Sequence, residues 1–341
     1  MILKDERIAG DIRYVMTSNP REIMQVPDEI RKCTVFVGHR TKSGEKVARG
    51  TGFFVAKPLV RGKLHAIYCV TAHHVIDKMK TAGHYEVSLR MNMASGKSEW
   101  IDTPLQDWVF HHDDANVDVA VFRFVCPWDE KAHDHLAWPI WLTLDQHRIQ
   151  MEEIGIGDEV FFPGLFSKHM GEERNIPIVR IGNIAAMPEE KLISKTYCVD
   201  AYLVEARSFG GLSGSPVFVH PGLVRIIEGK PMRYRGTTYY LMGLVHGHFE
   251  TRAVCDEVAE DFSLDDDSLN MGIAIVVPVA KIIEVLNHPK LAKLDEIDTK
   301  KWEDEHAPTL DDQSDREIIE SLIRTRLMLQ QDQSRPQPPR S

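Results

Sequence analysis

The chain has 341 residues, of which 43% are apolar and 27% charged, a composition typical of globular proteins. Its formal net charge of −10 argues against sequence-independent binding to nucleic acid or to an anionic membrane surface. No apolar run approaches the roughly 18 residues that a membrane-spanning helix requires. We therefore expect neither a nucleic-acid partner nor membrane association.

The N-terminal segment and the cysteines predict a cytoplasmic location. Residues 1–25, an N-terminal extension, lack the basic segment and apolar core of a secretory signal. The five cysteines are odd in number and widely spaced, which fits neither a zinc pattern nor a disulfide framework. We expect small core residues rather than nucleophiles at these positions: Cys33, Cys69, Cys126, Cys198 and Cys255.

From Val26 onward, short apolar runs alternate with turn residues. Ten such runs predict strands: CTVFVGHR, ARGTGFFVAK, LHAIYCVTAHHVI, YEVSLRMN, VDVAVFRFV, DEVFFPGL, KTYCVDAYLVEA, GSPVFVH, TTYYLMGLVHGHF and MGIAIVVPVAKII. Long amphipathic helices are scarce between them, so the pattern predicts an all-β fold of the barrel or sandwich type. A loop-like stretch at 144–157 separates two strand-rich halves, which we place at residues 26–150 and 151–290.

The C-terminal part differs in composition from the rest. VAKIIEVLNH predicts a helix after the last strand, and residues 291–341 are polar and charged. Within them, SDREIIESLIRTRLMLQQ predicts a further helix, which a capping box of Ser314 and Glu317 opens. Its apolar stripe is a candidate surface for self-association or for a partner protein. The final ten residues, DQSRPQPPRS, have the composition of a disordered tail.

The stretch SFGGLSGSPVFVH, Ser208–His220, is an unusual way to begin a strand. Gly210, Gly211 and Gly214 permit backbone angles that other residues avoid. A serine between them, Ser213, would be exposed, with backbone N–H groups directed past it. That arrangement supplies a nucleophile together with an oxyanion hole. The alternative is a tight glycine turn without chemistry.

A serine nucleophile needs a base, and the base needs a carboxylate that orients it. The run YCVTAHHVI places His73 and His74 at the end of an apolar strand. The run ANVDVAVFRF places Asp118 at the mouth of another, where a charge is costly unless it is paired. An imidazole would provide that pair.

The order His, Asp, Ser within TAHHV, DVAV and GLSGSPVF resembles the trypsin-like serine proteases of the chymotrypsin fold. GTGFFVA, GDEVFFPGL and NMGIAIVVPVAKII resemble further strands of that fold, so the resemblance covers residues 26–286. It implies an all-β double six-stranded antiparallel β-barrel, with base and carboxylate on the first barrel and nucleophile and specificity pocket on the second. The string Ser-Gly-Ser-Pro-Val-Phe is closer to the bacterial and viral branch, which includes the glutamyl endopeptidases.

The resemblance assigns roles residue by residue. Ser213 matches the nucleophile, Asp118 the orienting carboxylate, and the N–H groups of Gly211 and Ser213 the oxyanion hole. His74 matches the base, whereas His73 stands where the family pattern has alanine. The implied function is a serine endopeptidase that forms an acyl-enzyme on protein or peptide substrates without a cofactor. The alternative is a catalytically silent relative that binds peptides or partner proteins.

The resemblance also implies a specificity pocket, formed ahead of the nucleophile and by the strand GLVHGHF. The residues are Arg207, Ser208, His246 and His248. A guanidinium with one or two histidines would bind an acidic P1 side chain. Alternatively, Arg207 faces solvent and the histidines straddle an edge strand. The acidic segment 250–267 would instead favour basic substrates or cover the cleft, unless it is simply a solvated loop.

Neighbouring histidines raise the question of a metal site at three places: His111 with His112, His133 with His135, and His246 with His248. A histidine pair two residues apart on a strand shares one face and is able to chelate. None of these pairs joins a second cluster at a recognisable spacing, and no His-Glu-x-x-His motif is present. We therefore expect no metal centre.

Overall fold

The computed structural model describes residues 26–124, 132–166, 169–193, 198–206, 211–222, 224–227, 230–233, 239–250 and 270–306. Both strand-rich halves belong to one compact unit that extends to Lys293, and a second unit begins at Leu294. The predicted boundary between domains at residue 150 stays a prediction. None of the helices within these ranges has both the length and the apolar character to cross a membrane.

The N-terminal half forms one eight-stranded sheet. Its strands are β1 (Thr34–Arg40), β2 (Lys46–Val60), β3 (Leu64–Thr71), β4 (Glu86–Asn92), β5 (Ser98–Pro104), β6 (Val109–Phe110), β7 (Ala120–Phe124) and β8 (Trp138–Pro139). They are hydrogen-bonded in the order β5-β4-β1-β2-β3-β7-β6, and β8 pairs in parallel with β2.

The C-terminal half closes into a six-stranded barrel in the order β10-β13-β18-β17-β14-β9. Its strands are β9 (Glu159–Gly164), β10 (Ile178–Ala186), β13 (Tyr202–Glu205), β14 (Pro216–His220), β17 (Tyr240–Glu250) and β18 (Asn270–Pro278). All of its pairings are antiparallel. Two hairpins stand apart from it: β11 (Leu192–Ile193) with β12 (Cys198–Val199), and β15 (Val224–Ile227) with β16 (Lys230–Arg233).

Helices connect and flank these strands. They are α1 (Asp28–Lys32), α2 (His73–Thr81), α3 (Gln146–Met151), α4 (Val279–Leu286) and α5 (Pro289–Glu305), together with short 3₁₀ turns at Leu105–Asp107 and Ile140–Leu142. Helix α4 follows β18 directly and buries Val279, Ile282 and Val285. This apolar stripe at helical spacing is what the sequence predicts for the run VAKIIEVLNH.

Two apolar cores are present among the described residues, and the larger one contains residues of both halves, for example Phe53 and Phe218. Phe53, Phe54 and Tyr68 are fully buried in the core of the first sheet, while Phe162 and Met242 are buried inside the barrel. Full burial of one such side chain contributes about 1.5–3 kcal/mol to folding. A strand that is buried on both faces has a nearly continuous run of apolar residues in the sequence. Such runs are therefore easy to recognise as strands.

The predicted all-β fold is confirmed, with differences in detail. The barrel of the second half closes as the resemblance implies, whereas the first half is an eight-stranded sheet. The run LHAIYCVTAHHVI is not one strand, because β3 ends at Thr71 and α2 begins at His73. Helix α5 has too many charged residues to stand out in the sequence, and strand β10 was missed although most of its residues are apolar. The helix predicted from Ser314 onward lies outside the described residues.

Candidate active site

His74 and Asp118 are brought together by the pairing of β3 with β7. In this antiparallel pair Thr71, the last residue of β3, lies opposite Ala120, the first residue of β7. His74 comes three residues after Thr71, in the first turn of α2, and Asp118 comes two residues before Ala120. Two residues that are 44 positions apart in sequence therefore meet at one end of the sheet.

Asp118 holds His74 at two points. Its Oδ1 accepts the backbone N–H of His74 at 2.8 Å, and its Oδ2 lies 2.8 Å from Nδ1 of the ring. The first contact satisfies one of the N–H groups that the start of a helix leaves unpaired, where the helix dipole also favours a negative charge. The second places the ring proton on Nδ1, so that Nε2 is left as a hydrogen-bond acceptor.

The Asp118 carboxylate is ionised although it is buried. Its side chain is only 7% exposed, and this burial by itself would raise the pKa. Hydrogen bonds from His246 and His74 outweigh the burial and hold the pKa well below its usual range. A charged carboxylate is thus held in contact with two imidazole rings.

His246 is the second imidazole on this carboxylate. Its Nδ1 contacts Oδ2 of Asp118, and its ring lies nearly perpendicular to that of His74, with centroids 5.5 Å apart. His246 occupies the point in β17 where the pairing with β18 slips, between Val245 and Gly247. Such a β-bulge changes the direction of a side chain. The bulge also interrupts the alternation of side chains between the two faces of the strand. The predicted chelating pair of His246 and His248 depends on that alternation.

The turn that carries Ser213 lies against the same end of the first sheet. The Ser213 carbonyl accepts the N–H of Thr51, and the N–H of Gly214 donates to the carbonyl of Val245. Gly214 has φ +83°, and a Cβ there would lie 2.2 Å from the carbonyl oxygen of Thr51 and 2.9 Å from the nitrogen of Ala72. Only glycine fits this position, because it approaches the backbone that leads into α2.

Two threonine hydroxyls tie the turn in place. Thr51 Oγ1 donates to the carbonyl of Gly211 at 2.7 Å and accepts the N–H of Leu165 at 2.9 Å. Thr71 Oγ1 donates to the Thr51 carbonyl at 2.6 Å. The end of β3, the middle of β2 and the glycine–serine turn are therefore connected by one chain of hydrogen bonds.

The Ser213 hydroxyl donates to the carbonyl of His246, at an Oγ–O distance of 3.3 Å. Within the described part of the chain it makes no hydrogen bond to the ring of His74. The N–H groups of Gly211 and Ser213 have no acceptor among the described residues either.

The other predicted site residues lie elsewhere or outside the described ranges. Arg207 and Ser208 are outside them, as is the acidic segment from residue 251 to 267, and His248 is described only as backbone of β17. The His246 ring contacts Asp118, and its predicted role in binding a P1 side chain stays a prediction. The His73 ring packs on Phe110, with centroids 4.3 Å apart.

Two of the cysteines are structural. Cys33 and Cys69 are fully buried, and burial raises the pKa of both thiols, that of Cys33 to about 12. A thiol with so high a pKa supplies almost no thiolate at neutral pH. Neither residue is therefore a nucleophile.

One group of side chains has the composition of a metal site. The ligand atoms of His74, Asp118 and His246 lie within 4.8 Å of one another, and no other such group occurs among the residues that the structure describes. The sequence predicts the pairing of His74 with Asp118 but gives no hint that His246 joins them. His246 is 128 residues from Asp118, and only the bulge in β17 and the closure of the barrel bring them together.

No protein-family model and no curated protein matches this sequence. Several solved structures are similar to it. Three of them are the apo MamO protease domain from Magnetospirillum magneticum (14% identity, TM-score 0.42, 75% of this chain and 96% of that one), Deg5 (14%, 0.42, 75% and 88%) and the Drosophila Grass clip serine protease of the Toll pathway (13%, 0.42, 75% and 68%). Likeness of this degree says nothing about the chemistry of the present chain.

Proposed function

We propose that this chain is a serine endopeptidase in which Ser213 is the nucleophile, His74 the general base and Asp118 the orienting carboxylate. The observation that carries the proposal is the double contact of Asp118 with the backbone and the ring of His74. This contact fixes the tautomer and the direction of the imidazole, and the threonine hydrogen bonds tie the turn that carries Ser213 to the same edge of the sheet.

Each group then has a defined task. The Ser213 hydroxyl leaves the His246 carbonyl and gives its proton to Nε2 of His74 while Oγ attacks the peptide carbonyl. Asp118 stabilises the imidazolium, which returns the proton to the leaving amine. The N–H groups of Gly211 and Ser213 bind the oxyanion, and losing one such donor typically lowers turnover by about 10²–10³-fold. Water then hydrolyses the acyl-enzyme by the same route.

A second candidate is a catalytically silent module that binds peptides in the same cleft. The observation that favours it is the hydrogen bond of the Ser213 hydroxyl to a carbonyl instead of to the base. A hydroxyl held in this way is not activated. The two candidates differ in whether one rotation about the Ser213 side chain brings it to His74 when a substrate binds.

Incubation of the whole chain with a mixed peptide library, followed by mass spectrometry, separates the two candidates. The protease is expected to yield new termini with the wild type and none with Ser213→Ala. Ser215→Ala serves as the matched control, because the Ser215 hydroxyl is buried and has no hydrogen-bond partner in the described structure. Peptides retained but uncut by the wild type would establish the binding module and overturn the protease.

We further propose that the protease prefers an acidic P1 residue, with Arg207 as the counter-charge and Ser208, His246 and His248 beside it. A guanidinium binds a carboxylate through two parallel hydrogen bonds, which supports this preference. Fluorogenic peptides that end in Glu, Arg or Leu test it directly. Faster cleavage after Glu, lost in Arg207→Ala, is expected, and equal rates for the three peptides would contradict the preference.

A further inference from the structure

Asp118 is shared by two imidazoles that reach it from opposite halves of the fold. His74 comes from α2 on the first sheet, and His246 comes from β17 of the barrel. Both side chains are 28% exposed, so the group is within reach of solvent. Two imidazoles with one carboxylate are also a donor set that zinc takes in catalytic sites.

The present spacing is close to what a zinc ion needs. Zinc binds nitrogen and carboxylate oxygen at about 2.1 Å, which places neighbouring ligands of a tetrahedral ion roughly 3.4 Å apart. His74 Nδ1 and Asp118 Oδ2 are 2.8 Å apart, and no two of the three ligand atoms are more than 4.8 Å apart. Small rotations of the two rings would therefore open the group around an ion.

We propose that His74, Asp118 and His246 form a binding site for Zn²⁺ or a similar divalent transition metal, and that the bound ion switches off Ser213. The inhibition, unlike the binding, rests on the proposed protease function. The ion takes the Nδ1 lone pairs of both rings and one oxygen of Asp118, and water completes the coordination. Asp118 supplies a negative charge that offsets part of the charge of the ion.

The inhibition follows from the ring tautomer. With the metal on Nδ1 of His74, the ring proton moves from Nδ1 to Nε2, and no net proton is gained or lost by a neutral ring. Nε2 then donates a hydrogen bond and has no lone pair to accept the proton of Ser213. The bound dication also disfavours a positive charge on the imidazole, so His74 no longer acts as a base.

The test uses the tag-free full chain, since a histidine tag would bind metal by itself. Calorimetric titration of Ser213→Ala with Zn²⁺ is expected to show one ion per chain, and Co²⁺ is expected to give the visible absorption of a four-coordinate site. His246→Asn and, separately, His74→Gln are expected to weaken binding on the order of 100-fold or more, because each removes a ligand. His112→Asn, in the separate histidine cluster next to His288, is the matched control and should bind as Ser213→Ala does.

Equal affinity in His246→Asn and the control would overturn the site, as would the absence of any Co²⁺ spectrum. Thermal unfolding without metal checks that each variant is folded. Zinc should also abolish peptide cleavage by the wild type, with a midpoint that matches the calorimetric affinity. If metal binds and requires His246 while the wild type cuts no peptide, the metal site stands and the protease proposal fails. Cleavage that persists with zinc bound would overturn the inhibition alone.

Discussion

The hydrogen bonds around His135 and those around Asp118 both hold a histidine ring, and the two clusters are built differently. His135, in the first sheet, is 3% exposed, and both of its ring nitrogens are occupied by backbone groups. Its Nε2 accepts the N–H of Asn92 at 2.7 Å, and its Nδ1 donates to the carbonyl of Lys32 at 2.9 Å. Burial lowers its pKa to about 4. The ring is neutral at physiological pH and connects the backbone of Asn92 to that of Lys32.

The cluster around Asp118 leaves one ring nitrogen unused. His74 is held through Nδ1 and its backbone N–H, and its Nε2 has no partner among the described residues. Its side chain is 28% exposed, against 3% for the whole of His135. An imidazole acts as a base only where a nitrogen remains free and a substrate can reach it. The difference between the two clusters is therefore that His135 meets neither of these two requirements, whereas His74 meets both within the described structure.

Removing the nucleophile is expected to have the largest effect on the Asp118 cluster. Ser213→Ala should lower kcat by about 10⁶-fold, the scale of the loss when a serine nucleophile is deleted from such a triad. Steady-state hydrolysis of the best library peptide measures it. Ser215→Ala should retain activity, and a loss of less than tenfold in Ser213→Ala would assign the nucleophile elsewhere.

Replacing the Asp118 carboxylate by an amide is expected to have the second-largest effect. Asp118→Asn keeps the size of the side chain, but its amide cannot accept the two N–H groups of His74 and hold the ring in the required tautomer. A fall in kcat of about 10⁴-fold is expected. Asp114→Asn, in the loop that precedes Asp118, is the matched control. Comparable activity of both variants would show that Asp118 does not orient the base.

The His135 cluster predicts a dependence of stability on pH. The folded pKa of about 4 lies below the unfolded value of about 6.5, so the unfolded chain binds more protons between these values. The contribution of the neutral, buried His135 ring to the free energy of unfolding is fully present above pH 6.5. It is lost as the pH falls towards 4, by about 3 kcal/mol in total. Urea unfolding of wild type and His135→Gln at several pH values measures it. Parallel curves for the two proteins would contradict the assignment.

The smallest effect is expected at the link between the sheet and the serine turn. Thr51→Val removes a donor to the partly buried Gly211 carbonyl and an acceptor for the buried Leu165 N–H, and leaves both groups without that partner. A loss of about 1–3 kcal/mol in the free energy of unfolding is expected, with a drop in kcat because Ser213 shifts. Thr41→Val, whose hydroxyl bonds Ser43 on an exposed turn, is the control. Unchanged stability and activity in Thr51→Val would show that the turn does not depend on this link.

The sequence predicts the parts of the Asp118 cluster that are encoded locally. A charge at the mouth of an apolar strand, histidines after another and a serine among glycines are each visible as strings, and their order suggests one site. His246 was not predictable as a partner of Asp118, because its direction depends on a bulge that shifts the register of β17. The start of α2 at His73 was missed as well, since the apolar run continues through it and only the contact with Asp118 marks the turn.

The most direct test of the account is labelling by a fluorophosphonate probe, followed by peptide mapping. One adduct on Ser213 is expected in the wild type, and it should disappear in His74→Ala because the hydroxyl then has no base. Ser215→Ala should be labelled as the wild type is. No adduct on folded wild-type protein, or an adduct that forms equally well without His74, would contradict the claim that the three residues act as one catalytic unit.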